Sequence, residues 1–277
     1  MGQAGGNADG REILYGLHAV REAIRAGARP IRRILVLRTD RQFGDLVKAA
    51  KAKHVPVHVE PPAVFHRLVP HGKHQGVIAF VAAKPYSTTD DIVKQARAKG
   101  EPPLLLLLDG VEDPHNLGAA LRTAEAAGVH GVFIPERRAV GLTPVVAKAS
   151  AGAIDHVAVC QVTNLTRLID DLKEEGIWVY AVESTATTRY AAVDMTGPVA
   201  FVFGGEGEGI RPGVLKACDG RISIPMKGRV ASLNVSAALA VVLYEAVRQR
   251  GENKPVPRSL DFEHASFDRG FEQLGGV

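Results

Sequence analysis

The feature that most restricts the fold of this chain is five consecutive leucines at residues 104–108. The run is strand length, far short of the roughly 20 apolar residues of a membrane-spanning helix. Glu101-Pro102-Pro103 stops any helix that reaches it from the N-terminal side. A strand apolar at every position must be covered on both faces, as strands of parallel sheets are. Strand-like runs follow at 131–134, 156–160, 177–182, 199–203 and 221–224, with helical patterns between most of them, as at 117–127 and 165–175. This alternation predicts an α/β unit with a mostly parallel sheet. A last helix over 232–250 carries Val235, Ala238, Leu239, Val242 and Leu243 and is apolar almost all round. Such a helix belongs in a core or against a partner.

A smaller α/β unit precedes this one. Leu17, Val20, Ala23 and Ile24 recur at helical spacing from residue 15 to 25. A strand at 32–37, a helix at 43–53, a strand at 55–59, a short helix at 64–68 opened by Pro61 and Pro62, and a strand at 76–81 complete it. The predicted organisation is a leader at 1–10, a small domain at 11–83, a linker and helix at 84–103, a large domain at 104–250 and a loosely ordered tail at 251–277. Residues 84–89 are the expected hinge, with Thr89 or Asp90 capping the helix that follows.

Charge separates the two units. Between Arg11 and Ala83 there are thirteen Lys/Arg against five Asp/Glu, a local charge of +8 in a chain whose total is +4. A basic front unit on a near-neutral body suits a polyanion, although a solvated basic surface reads the same by charge alone. The N-terminal residues lack the basic-then-apolar pattern of a signal peptide. Two cysteines, Cys160 and Cys218, make no disulfide framework, and a reduced cytoplasmic setting fits. Of ten histidines, His54, His58, His66, His71 and His74 lie in the front unit without nearby cysteine or zinc-ligand spacing, so no metal is expected.

Three loops at strand ends collect the polar residues that could do chemistry. The first, Asp113-Pro114-His115-Asn116-Leu117-Gly118-Ala119-Ala120-Leu121-Arg122, enters a helix. Asn116 reads as its N-cap, Gly118 and Ala119 as room for a close ligand, and Arg122 as a phosphate grip. Capping by Asn116 and a surface ion pair for Arg122 explain the same residues without function. The second loop, Phe203-Gly204-Gly205-Glu206-Gly207-Glu208-Gly209, follows an apolar strand. Its glycines mean close backbone approach, often to a ligand. The spacing is not that of a dinucleotide site, and two glutamates would repel a pyrophosphate, so a zwitterionic or cationic ligand fits better. The third runs from Ile224-Pro225-Met226 to Ser232-Leu233-Asn234 at the start of the last helix. A serine cap and a buried asparagine would account for it equally.

Together the three loops, in this order, resemble the motifs of the SpoU/TrmH family of RNA ribose 2′-O-methyltransferases, in the SPOUT superfamily. The resemblance covers roughly residues 104–250. The front segment, from Tyr15-Gly16-Leu17-His18 to His74-Gln75-Gly76, is similar to the L30e-like substrate-binding domain of the family's ribosomal RNA branch. The resemblance implies an α/β knot, a sheet whose C-terminal part is threaded into a deep trefoil. It implies S-adenosylmethionine as cofactor, structured RNA as substrate (ribosomal before transfer RNA) and a homodimer through the knotted domain, with no membrane and no metal. Gly204, Ile224 and Leu233 are expected to contact the cofactor, and Gly205, Glu206 and Met226 to line the same cleft. The catalytic and RNA-facing set falls on Asn116, Arg122, Glu206, Ser232 and Asn234, with Arg122 reaching the other subunit's cleft. The family reading casts Arg122 as a base. Arginine keeps its proton above pH 12, so anchoring a phosphate beside the target ribose is the role expected here.

Three rival readings remain at this stage. Transfer RNA could be the substrate, though the basic front domain argues for ribosomal RNA. A non-catalytic RNA-binding protein could be built on the front domain. A nucleotide-binding oxidoreductase could be read from the glycine loop, against its spacing.

Overall fold

The computed structural model describes residues 11–40, 42–70, 72–230 and 232–252. The expected leader at 1–10 and nearly all of the tail at 251–277 lie outside them. In the front unit, β1 (Arg11–Tyr15), β2 (Ile31–Val36), β3 (Val57–Val59) and β4 (Val77–Ala82) alternate with α1 (Leu17–Ala26), α2 (Gly44–Ala52) and α3 (Pro62–Leu68). The strands lie in the order β1-β4-β2-β3. β4 is antiparallel to β1 and β2, and β2 is parallel to β3. The sequence reading lacks β1. Five residues are too few for a periodicity signal, and the strand exists by pairing with β4, more than sixty residues away. Gly16, at φ 100°, turns β1 into α1. Gln75 closes this corner, its Oε1 accepting from Leu17 N at 3.1 Å. That bond joins the two stretches, Tyr15-Gly16-Leu17 and His74-Gln75-Gly76, on which the front resemblance rests.

The connection to the larger unit is bonded down rather than free. Lys84 Nζ donates to the carbonyls of Ile154 and Val157, Ser87 N donates to Val159 O at 2.8 Å, and Leu142 N donates to Tyr86 Oη at 3.2 Å. Next comes α4 (Thr89–Ala98), capped by Thr88, which accepts from Asp91 N at 3.1 Å. The cap is one residue earlier than expected, because Thr88 is the last residue in extended backbone.

The larger unit contains β5 (Leu104–Asp109), α5 (Pro114–Ala126), β6 (Gly131–Pro135), α6 (Pro144–Ala149), β7 (Val159–Val162), α7 (Leu165–Glu174), β8 (Trp178–Val182), β9 (Thr188–Arg189), β10 (Val199–Gly204), α8 (Pro212–Ala217), β11 (Gly220–Ser223) and α9 (Val235–Glu252). Its seven strands lie in the order β7-β6-β5-β10-β8-β11-β9, and every neighbouring pair is parallel. The leucine strand β5 is fully buried. Leu104, Leu106 and Leu108 pack towards α5 and α9, and Leu105 and Leu107 towards α4 and α7. Both faces are therefore covered, as an all-apolar parallel strand requires.

Two helix starts differ from the sequence reading. Asp113, not Asn116, caps α5, accepting from His115 N at 2.9 Å with Pro114 in the first turn. Asn116 is inside the helix and free for other bonds. Helix α9 begins at Val235, not Ser232, and Asn234 Oδ1 accepts from Ser236 N at 2.9 Å. Nor is α9 buried all round. Val235, Leu239, Val242, Leu243 and Ala246 face the core, while Tyr244 (50% exposed) and Val247 (36%) face outwards. At its far end Arg250 donates to the carbonyls of Pro102, Pro103, Met195 and Gly197, tying α9 to the start of β5.

Candidate active site

The C-terminal ends of β8, β10 and β11 meet at one edge of the sheet, where α/β folds commonly bind ligands. A cleft of about 670 Å³ opens there. Gly204, Gly205, Glu206, Ile224, Met226, Ser232, Leu233 and Asn234, all nominated from the sequence, lie on its wall. Asn116 and Arg122 do not. The sequence reading missed residues 182–185 at the end of β8, which form another side. The available signal was positional, since β8 is another parallel strand ending at the same edge.

The glycine loop works differently from its sequence reading. A Cβ on Gly204 would collide with the backbone of Gly209 and Ile210, and one on Gly205 with the carbonyl of Gly110. These two glycines admit the chain's own backbone on one side while lining the cleft. Gly205 and Gly209 form an isolated antiparallel bridge, so the loop doubles back on itself. Its base is held by Asp109, only 2% exposed. The Asp109 carboxylate accepts from Arg211 N at 2.9 Å and Nε at 2.8 Å, with Arg211 Nη2 at 2.7 Å. Gly205 N donates to Asp109 O at 2.9 Å. With the guanidinium on Oδ1 and the backbone N–H on Oδ2, Arg211 engages both carboxylate oxygens, which fixes orientation as well as distance. Neither Asp109 nor Arg211 stood out in sequence, because 102 residues separate them. Gly118 is also a packing glycine. Its Cβ would strike Ala149 and Ser150, so it brings α5 against α6 instead of opening a ligand site.

One polar chain joins the three nominated loops. Asn116 Nδ2 donates to Glu206 Oε1, and Asn234 Nδ2 donates to Asn116 Oδ1 at 3.1 Å. Asn234 Oδ1 accepts from Ser236 N at 2.9 Å and Ser236 Oγ at 2.6 Å. Each amide is thereby oriented. Ser236 takes the Asn234 oxygen, which turns its NH₂ to Asn116, whose own NH₂ then meets Glu206. The second oxygen of Glu206 has no partner among the described residues. Glu206 is exposed, so a substrate hydroxyl can reach it.

Arg122 stands apart. It lies six residues beyond Asn116, about 240° round an α-helix. It is exposed and has no hydrogen bond or ion pair among the described residues. Within one protomer it does not join the cleft.

The comparisons with known proteins agree with this geometry. The sequence pattern of the SpoU rRNA Methylase family matches residues 103–244, and that of RNA 2′-O ribose methyltransferase substrate binding matches residues 13–87. The Bacillus subtilis protein YacO, described as a TrmH family tRNA/rRNA methyltransferase, is 46% identical over 209 residues, covering 76% of this chain and 84% of its own. A crystal structure of an RNA 2′-O ribose methyltransferase superposes with a TM-score of 0.72 at 28% identity, covering 88% of this chain and 90% of that one. The fold is shared too with the SpoU methyltransferase AviRb of Streptomyces viridochromogenes, solved with AdoMet, at a TM-score of 0.74 and 24% identity over 89% of this chain and 95% of that one. With a match over half its length and a relative this similar, the chain belongs to the SpoU rRNA methylase family, alongside the TrmH family tRNA/rRNA methyltransferases.

Proposed function

We propose that this protein methylates the ribose 2′-hydroxyl of a guanosine in 23S ribosomal RNA, the reaction class of the guanosine 2′-O-methyltransferase RlmB, using S-adenosylmethionine. The observation that carries the reading is the Asn234–Asn116–Glu206 chain at the rim of the cleft. The matched substrate-binding unit at 13–87 favours ribosomal RNA.

The cleft fits the cofactor. Its volume is within the range of small-molecule sites, about 300–1,000 Å³. Ile224 and Leu233 offer apolar walls, the Gly204 backbone offers polar groups, and Glu206 and Glu208 place negative charge where a cationic ligand would lie. When bound, S-adenosylmethionine supplies an electrophilic methyl on a cationic sulfur. The protein's own part is position and proton handling. Asn116 holds one oxygen of Glu206, leaving the other to accept the proton of the ribose hydroxyl. Ser232 and Asn234 are placed to hold the ribose edge.

Arg122 completes this site from a second copy of the chain, gripping the phosphate beside the target ribose. Its outward position and lack of a hydrogen-bond or ion-pair partner among the described residues support that role. The outward Tyr244 and Val247 on α9 support a homodimer through the knotted domain. The insertion of β10 between β5 and β8 supports a threaded C-terminal part. Residues 11–83 act as the RNA-docking unit, 84–103 as the connection and 104–250 as the methyltransferase.

The test is methyl-labelled S-adenosylmethionine offered with ribosomal and transfer RNA from cells lacking the activity, followed by mapping of nuclease-resistant ribose methylation. Label at one ribose of large-subunit RNA is the expected result. Label confined to transfer RNA overturns the substrate, and label on a base overturns the chemistry.

A further inference from the structure

The front unit meets the larger one along β1 and α6, and an unneutralised basic cluster lies on that seam. Lys148 of α6 sits over the ring of Tyr15 in β1, Nζ 4.6 Å from its centroid. Gly72 packs against Val69 and the same ring, where a Cβ would have no room. This close approach brings Lys73 beside Lys148. His74 and His66 follow, their rings 5.7 Å apart edge to face. His74 Nδ1 accepts from Gly76 N at 3.0 Å, which leaves Nε2 as the neutral ring's donor, aimed away from that bond. Neither Lys73, Lys148 nor His66 has an ion pair or hydrogen bond among the described residues, and no carboxylate joins the cluster. Burial first and the Lys73 charge second hold the Lys148 ammonium below its ordinary pKa. Burial first, then the positive charges of His66 and Lys148, do the same for His74. Like charges gathered without a counter-ion are suited to an anion from outside.

We propose that Lys73 and Lys148, with Tyr15 and His74, form a seat for an RNA backbone phosphate that is shared between the two units. The proposal rests on the reading of the protein as an RNA-modifying enzyme. It adds a contact from the methyltransferase unit itself, outside the cleft. Lys148 adjoins Ala149, the residue against which Gly118 seats α5, and α5 carries Asn116. A phosphate held on the seam is thus at a fixed distance from the Asn116–Glu206 pair. The seat would set how far along the RNA the target ribose lies from the docked region. It reads no base, because a phosphate contact positions without specifying sequence.

The experiment compares the full-length protein with Lys73→Gln/Lys148→Gln and with Lys148→Arg. Binding to deproteinised ribosomal RNA and to transfer RNA is measured across a salt series, with methyl-transfer kinetics and S-adenosylmethionine affinity alongside. The double variant is expected to bind the RNA substrate about tenfold more weakly, with the slope of log affinity against log salt reduced by about 0.9, the value for one lost phosphate contact. KM for RNA rises accordingly, kcat at saturating RNA holds, and cofactor affinity and melting temperature stay as in the parent. Lys148→Arg keeps the cation and retains most of the affinity. An unchanged affinity and salt slope in the double variant overturns the seat. So does a loss of cofactor affinity equal to the loss of RNA affinity, which would mean general damage. Parent protein that methylates transfer RNA instead overturns the ribosomal reading alone, and the seat then stands or falls on the variants' loss with that RNA. Parent protein that binds neither RNA overturns both.

Discussion

Two polar clusters in this molecule use similar residue types in opposite ways. One is buried between the units. Arg29 and Asp155 have side chains 1% and 0% exposed, with Arg29 Nη2 donating to Asp155 Oδ2 at 3.3 Å and Arg29 Nη1 to Glu12 Oε2 at 3.0 Å. Arg29 Nε lies 2.9 Å from Asp155 Oδ1 as an ion pair, though at an angle outside hydrogen-bond geometry. Burial raises the Glu12 pKa despite the neighbouring guanidinium, so desolvation outweighs the attraction there. The other cluster, Asn234–Asn116–Glu206, sits at an open cleft with one carboxylate oxygen left over. The buried cluster commits most of its bonding capacity to the fold and keeps its unbonded pair, Arg29 Nε and Asp155 Oδ1, buried away from any ligand. The open one holds some in reserve, and that reserve is what a reaction can use.

The sharpest way to break this contrast is to exchange their effects. Glu206→Gln keeps shape and removes the proton acceptor, so kcat for methyl transfer is expected to fall by about 10²–10⁴, the usual contribution of a positioned base. Because Glu206 is exposed, the melting temperature should stay within the scatter of the parent. A variant that melts early but turns over normally would reverse the assignment. Asp155→Ala should do the opposite. It leaves the buried Arg29 guanidinium with Glu12 as its carboxylate partner, so the cost should approach that of breaking a buried pair, about 3–5 kcal/mol of stability. Denaturant unfolding measures that loss. Below the transition the variant should still bind S-adenosylmethionine, whose proposed cleft is at another edge of the fold. A stability loss under about 1 kcal/mol would mean that water already relaxes the pair.

The same contrast explains how much could be read from sequence. The cleft loops were legible because each follows a strand of a parallel sheet, and parallel strands end together. Eight nominated residues share the cleft wall for that reason. The buried cluster was not legible, because Arg29 and Asp155 lie 126 residues apart and neither belongs to a local pattern. The clamp between Asp109 and Arg211 was hidden in the same way. The glycines were flagged as sites of close approach, and the structure shows the chain's own backbone among their neighbours. Sequence cannot tell whether a missing Cβ makes room for a ligand or for Gly110 and Ala149. Helix α5 shows the limit of local rules. Asp113 and Asn116 are both good capping residues, and Pro114 decides between them by fitting the first turn after Asp113.

That decision predicts a smaller effect. Asp113→Ala removes a cap on the helix that carries Asn116, and should cost about 1 kcal/mol of stability. Asn116→Ala removes no cap. Its stability loss should be the lesser of the two and its loss of turnover the greater. Thermal unfolding and methyl-transfer rates on the pair of variants check both halves.

The effect expected to be smallest at neutral pH concerns Lys84, where the connection meets the larger unit. Its Nζ donates to the carbonyls of Ile154 and Val157, and its pKa is lowered to about 8, by burial first. The charge of Asp155 pulls the other way, and that of Arg29 adds to the lowering. In the unfolded chain the same ammonium holds its proton up to about pH 10.4. Between these values the unfolded state binds the extra proton, so this group makes the folded state more stable as pH rises across the window. Below pH 8 both states are protonated and its contribution is flat. Lys84→Met removes the charge and also two hydrogen bonds, changes that oppose each other at pH 7. The parent should therefore gain stability relative to Lys84→Met as pH is raised from 8 towards 10, by up to about 1.4 kcal/mol per unit. Parallel stability curves for the two proteins across that range would show that Lys84 keeps its charge at the seam. Water would then be screening it there, and the contrast between a closed structural cluster and an open functional one would be weaker than drawn.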